Sequence, residues 1–182
     1  VRWCGRSDPA LSAPGRDAAA RVAQEIAADH AVGSPSGVVV LASPLRRSTE
    51  TAAAIAAALG VPVQVEPGIA EIDFGDIDGL TWDEVLASHP GPAAAILDGA
   101  DLDWPAGETA AQVDARARAA AERIRVLGRS RAVVVVSHGG FIAALARHLG
   151  APSAAGGLAP ASRIRVDVPP VEAVDVVAST PP

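Results

Sequence analysis

Two segments of the chain carry residues that could do chemistry. In SPLRRSTETA, Arg46 and Arg47 follow a run of β-branched residues; in VVVVSHGG a similar run ends in His138-Gly139-Gly140. A guanidinium matches phosphate or carboxylate oxygens bidentately, so the arginines point to an anion. A histidine at such a strand end can be structural, satisfied by backbone bonds, or can join the arginines in an anion site. Gly139 and Gly140 would let the backbone come close to such a ligand. A third segment, AEIDFGDIDGLT, places Glu71 in a loop dense in carboxylates and poor in basic partners. Near a phosphate, such a carboxyl can be raised in pKa and protonate a leaving oxygen. Each feature has a plainer reading when taken alone: a structural histidine, a solvated arginine pair, a tight turn, a solvated acidic loop. Their convergence on one sheet edge would favour function. Asp73, Asp76 and Asp78 do not follow the EF-hand spacing, so a calcium loop is not indicated.

The elements that would position these residues alternate between strand and helix. Helical spacing of apolar residues runs from Gly15 to about His30. GVVVLAS reads as a buried strand, and a helix beginning at Ser43-Pro44 stops at Gly60. VPVQVE is a short strand. Short helices are expected from Thr81 to about Ser88 and near 91–98, and a long one from Thr109 to about Leu127. AVVVVS is a second buried strand, followed by a helix ending at Gly150. SRIRVDV and AVDVVA alternate as a C-terminal β-hairpin would, with Pro169-Pro170 at its turn. The pattern is α/β, a mainly parallel central sheet with helices on both faces and a C-terminal β-hairpin. In such sheets, ligands bind outside the carboxyl ends of the strands, near helix N-termini that favour anions. Arg46 and Arg47 occupy one of those N-termini, where the macrodipole disfavours a cation unless an anion is bound.

Composition narrows the function classes. The chain has 182 residues, a length suited to one domain spanning 1–182. All 15 basic residues are Arg, which removes the P-loop lysine and lysine Schiff-base chemistry. Net charge of −6 argues against a nucleic-acid surface, and the alanine-rich runs are broken by charges too often for a membrane helix. One cysteine, Cys4, excludes an internal disulfide framework and points to the cytoplasm. No Gly-x-Ser-x-Gly elbow occurs, which disfavours a serine hydrolase.

The motifs together resemble the histidine phosphatase superfamily, the phosphoglycerate mutase-like proteins. SPLRRSTETA is similar to the family's Ser-Pro-Leu-x-Arg-Ala-x-x-Thr-Ala, EIDFGDIDGLTWDEV to its Glu-x-x-Phe-Gly segment, PAGETAAQ to its Gly-Glu-Ser helix start, and VVVVSHGG to its second histidine motif. The resemblance covers residues 5 to about 150, in order. It implies that Arg47 clamps phosphate while Arg46 fills a variable position. It implies that His138 binds the phosphoryl group and steadies the nucleophile, and that Glu71 is the proton donor. Arg6 and Ser7 would line the pocket mouth, and Gly139 would help complete the anion cradle.

The family's nucleophile is a histidine in an Arg-His-Gly motif at the end of its first strand. The sequence contains no such motif, and His30, His89 and His148 do not replace it. The missing strand is expected just before Val1. In the family it lies inside the sheet, between the SHGG strand and the C-terminal hairpin, so its loss would leave ladder groups unpaired. The complete protein is then expected to hydrolyse phosphate monoesters through a phosphohistidine, and the 182-residue chain to be inactive. The alternatives are a non-catalytic phosphate-binding pseudoenzyme domain and a phosphoglycerate mutase-type phosphotransferase. No metal or organic cofactor is implied. The expected partner is a small-molecule phosphate monoester, with no nucleic acid and no membrane, and a homodimer is compatible with this reading.

Overall fold

The computed structural model describes residues 2–31, 37–151, 162–166 and 174–179. The elements run in the order α1 (Ala13–Ala31), β1 (Val38–Ala42), α2 (Arg46–Leu59), β2 (Val63–Val65), α3 (Trp82–Ser88), α4 (Pro90–Leu97), α5 (Ala110–Gly128), β3 (Ala132–Ser137), α6 (Gly139–Leu149), β4 (Arg163–Val166) and β5 (Val174–Ala178). The expected alternation is present, and the boundaries agree to within a few residues. The expected turn at Pro169-Pro170 lies outside the described residues.

The sheet order is β2-β1-β3-β5-β4. Four strands are parallel, and β4 lies antiparallel on the β5 edge. All six residues of β3 are buried, because helices cover both faces. Alternate residues serve opposite sides. Val39, Leu41, Val133 and Val135 join the core under α5 and α6, whereas Val40, Ala42, Val134 and Val136 join the core under α1 and α2. Buried alanines on α1 and α2 (Ala19, Ala23, Ala52, Ala56) keep that second layer thin, so few aromatic side chains are needed to fill it.

The sheet corrects one expectation. No gap separates the SHGG strand from the hairpin. β5 pairs directly with β3 from Val133↔Val174 to Ser137↔Ala178, so its ladder groups are satisfied rather than left open. The sequence VDVVA can do this because it is as β-branched as the strands beside it, and its one charge is compensated. Asp175, fully buried, meets His30 Nε2 at 2.9 Å and Arg163 Nε at 3.6 Å.

Two loops that frame the site are zipped together by backbone contacts. Glu108 N donates to Asp73 O (2.9 Å) and Asp76 N to Pro105 O (2.8 Å). Gly107 allows this approach, since a Cβ there would lie 2.2 Å from Asp73 O. Gly107→Ala is therefore expected to cost roughly 2–4 kcal/mol through backbone displacement. At ~2–4 °C per kcal/mol for a chain of this size, thermal denaturation should show a melting temperature lower by about 5–15 °C. An unchanged melting temperature would mean that the two loops are not held this closely.

Candidate active site

The carboxyl ends of β1 and β3 lie side by side, so Ser43, which follows β1, and His138, which follows β3, come together. His138 Nε2 is 2.7 Å from Ser43 Oγ, and its Nδ1 is 2.8 Å from Ser179 Oγ at the end of β5. Arg47 Nε donates to the same Nδ1 at 3.2 Å. Nδ1 is thereby the acceptor, which leaves the proton on Nε2, donated to Ser43. The imidazole is buried, and burial followed by the charges of Arg47, Arg116 and Arg6 holds its pKa well below the ordinary histidine value. His138 is neutral at pH 7.

Arg47 leaves the first turn of α2 and is 3% exposed, whereas Arg46 points to solvent and pairs with Glu50 at 3.5 Å. Successive helical residues diverge by ~100°, so only one of the pair can face the site. The Arg47 guanidinium donates to the carbonyls of Ser7 (2.8 Å), Cys4 (2.9 Å) and Gly5 (3.2 Å). It therefore ties the N-terminal segment to the sheet edge. The unfavourable arginine at the helix start is answered by chain carbonyls, and Asp8 Oδ1 takes the Arg46 backbone N–H at 2.5 Å.

Glu71 occupies the N-terminus of α6. Its carboxylate accepts from Phe141 N (2.9 Å) and Gly140 N (3.3 Å), as well as from Ile72 N (3.0 Å). Gly140 makes room for it, since a Cβ there would stand 2.9 Å from Glu71 Oε1. Burial raises the Glu71 pKa, and the three backbone N–H groups and Arg47 only partly oppose that. A buried carboxyl held toward its neutral form can donate a proton.

Arg47, Glu71, His138, Gly139 and Gly140 all line one cavity of about 1000 Å³. Arg6 and Ser7, expected at its mouth, do not. Their backbone N–H groups, with that of Gly5, converge on the Asp78 carboxylate at 2.9–3.0 Å, and the Arg6 side chain turns to Asp73 and Glu108. The acidic loop is thus a clamp for the N-terminal segment, and these N–H groups hold the Asp78 pKa down against its burial.

Arg116 was not legible as a site residue in the sequence. It sits on α5, holds Glu108 through two contacts (3.0 and 2.8 Å), donates to the carbonyls of Gly68, Ala70 and Glu71, and stacks over the Phe141 ring at 4.3 Å. Glu108 lies in the loop just before the Thr109 N-cap of α5, and nothing in VDARARAA distinguishes Arg116 from Arg118 except the face it occupies. The other histidines are engaged elsewhere: His30 with Asp175, His89 with Ser88 and His148 with Asp114. Among the described residues, no helix is long and apolar enough to cross a membrane.

The model of the histidine phosphatase superfamily (branch 1) matches residues 1–167. A glucosyl-3-phosphoglycerate phosphatase of Mycolicibacterium vanbaalenii is 33% identical over 159 residues, covering 83% of this chain and 68% of that protein. Phosphoserine phosphatase 1 of Hydrogenobacter thermophilus is 33% identical over 138 residues, 75% of this chain and 63% of its own length. The native structure of mycobacterial glucosyl-3-phosphoglycerate phosphatase superposes with a TM-score of 0.74 at 27% identity, covering 99% of this chain and 91% of that one. Sequence motifs, relatives and overall fold all agree on one conclusion: the chain belongs to the histidine phosphatase superfamily.

Proposed function

We propose that the protein hydrolyses small-molecule phosphate monoesters at the cavity where Arg47, Glu71 and His138 meet. That convergence, from three separate segments onto one sheet edge, is the observation that carries the reading. Glu71 gives its proton to the departing ester oxygen as the P–O bond breaks and the oxygen keeps the bonding pair. The phosphoryl group passes to a histidine nitrogen, and water then cleaves the P–N bond, returning its proton to Glu71. His138 and the Arg47 charge stabilise the transferring oxygens. Burial and, after it, the arginine charges depress the His138 pKa, and a phosphate dianion in the cavity would counter the second of these.

The accepting histidine in this reading belongs to the family's Arg-His-Gly motif, which the 182 residues do not contain. The test is p-nitrophenyl phosphate turnover by this chain beside a version carrying an N-terminal strand that ends in Arg-His-Gly. Turnover is expected from the extended version only, because removing a covalent nucleophile removes the reaction path itself. Robust turnover by the 182-residue chain, abolished by His138→Ala, would place the nucleophile at His138 instead. A second reading, a phosphate-binding domain without turnover, is favoured by one observation. Arg47 and His138 line the cavity, while the family's Arg-His-Gly nucleophile motif is not among the 182 residues. Absence of turnover in both versions, with inorganic phosphate still bound, would select it.

A further inference from the structure

The cavity lining is of two chemical kinds: beside Arg47, Glu71 and His138 it includes the apolar side chains of Trp3, Trp82, Trp104, Ile96, Leu102 and Ala143. All three tryptophans of the chain are here, each half-buried, so each keeps part of its ring exposed. They form one cluster with Phe74. Trp3 lies 6.4 Å from Trp82, 5.8 Å from Trp104 and 5.2 Å from Phe74 between ring centroids, and Phe74 lies 4.5 Å from Trp104. The wall is held by backbone, since Trp3 N donates to Leu80 O and Gly79 N to Trp3 O, both at 2.8 Å.

Two further arginines of the lining are each paired with an acid. Arg2 meets Glu84 at 3.1 Å, and Arg147 meets Asp101 at 3.2 Å. Among the described lining residues, a leaving group bearing a carboxylate or a second phosphate would have to compete with Glu84 or Asp101 for Arg2 or Arg147. A sugar could lay its C–H face on an indole, but its hydroxyls would still need partners that isoleucine, leucine and alanine side chains do not supply. A flat apolar ring needs neither, and offset or edge-on contact with indole adds to the gain from its burial.

We infer that the phosphate monoester this site accepts carries an aromatic or similarly flat apolar group on its alcohol side, seated against the Trp3, Trp82 and Trp104 wall. This rests on the reading of Arg47, Glu71 and His138 as the phosphoryl seat. It departs from the sugar and amino-acid substrates in the names of the relatives.

The test measures binding, so it needs no turnover. Calorimetry on the 182-residue chain would compare inorganic phosphate, methylphosphonate, 2-naphthylmethyl phosphonate, phosphoserine and glucose 1-phosphate. The naphthyl compound is expected to bind at least ~30-fold more tightly than methylphosphonate, in keeping with burial of one ring. Inorganic phosphate should compete with both. Trp82→Ala and, independently, Leu102→Ala should bring the naphthyl-to-methyl ratio toward one; melting curves identify a variant that does not fold, and the other then decides. Equal affinity of the two phosphonates, with phosphate still competing, would overturn the inference and leave the phosphoryl seat standing. Tighter binding of phosphoserine or glucose 1-phosphate than of the naphthyl compound would do the same. A chain that binds neither phosphate nor any phosphonate would overturn the phosphoryl-seat reading and this inference with it.

Discussion

Arg47→Ala is expected to destabilise the protein by about 2–4 kcal/mol, lowering the melting temperature by roughly 5–15 °C, while Arg46→Ala stays within ~0.5 kcal/mol of the parent. The two residues are adjacent and chemically identical, so the contrast is one of environment alone. Arg47 is buried and satisfies three carbonyls of the N-terminal segment as well as His138 Nδ1. Removing it leaves those acceptors without their donor. Arg46 loses one exposed pair with Glu50, which solvent replaces. Inorganic phosphate binding should fall with Arg47→Ala and hardly change with Arg46→Ala. The loss of the nearby positive charge should also let the His138 imidazole titrate at higher pH, visible in its ring proton resonances. Equal effects from the two substitutions would mean that the register of α2 is wrong.

Glu71→Gln, in a version of the protein that carries the Arg-His-Gly strand, should lose about 10²–10⁴ of its activity on alkyl phosphates and far less on p-nitrophenyl phosphate. An alkoxide needs a proton as it departs, whereas nitrophenolate is stable without one. The amide oxygen of the substituted side chain would accept the Phe141 and Ile72 N–H bonds much as the carboxylate does, so the fold should survive. Stability against pH gives a second readout. Because burial raises the Glu71 pKa, its contribution is fully present at low pH and is lost as pH climbs from the unfolded carboxyl value through the raised folded one. Glu71→Gln should therefore gain on the parent as the pH rises through that range. His138 acts in the opposite sense. Its depressed pKa makes the folded state lose stability as pH falls below the unfolded histidine value of about 6.5. Chemical denaturation across pH 4–9 would separate the two slopes. A uniform activity loss on both esters would show that Glu71 positions rather than protonates.

Much of the scaffold follows from local pattern. β-branched runs bounded by Gly, Ser and Pro specify β1 and β3, and helical spacing of alanine and isoleucine specifies α1, α2 and α5. Where a strand runs into Ser-Pro-Leu-Arg-Arg or Ser-His-Gly-Gly, chain continuity alone puts those residues at the carboxyl edge. Arg46, Arg47 and His138 could be singled out on that basis and Glu71 by its acidic loop, while the motif resemblance supplied the choice of Arg47 over Arg46. What the sequence by itself could not decide is who meets whom across the chain. The strand VDVVA suits any slot that covers both its faces, and only assembly of the sheet places it against β3, with Asp175 answered by His30 from α1. The Asp78 carboxylate reads as one more acid in an acidic loop until three consecutive N–H groups from residues 5–7 close around it. Arg116 and the three tryptophans are likewise invisible one at a time, because their roles depend on contacts between segments tens of residues apart. Periodicity is a property of neighbours along the chain; burial, pairing and pKa are properties of neighbours in space, and only the tertiary structure supplies those.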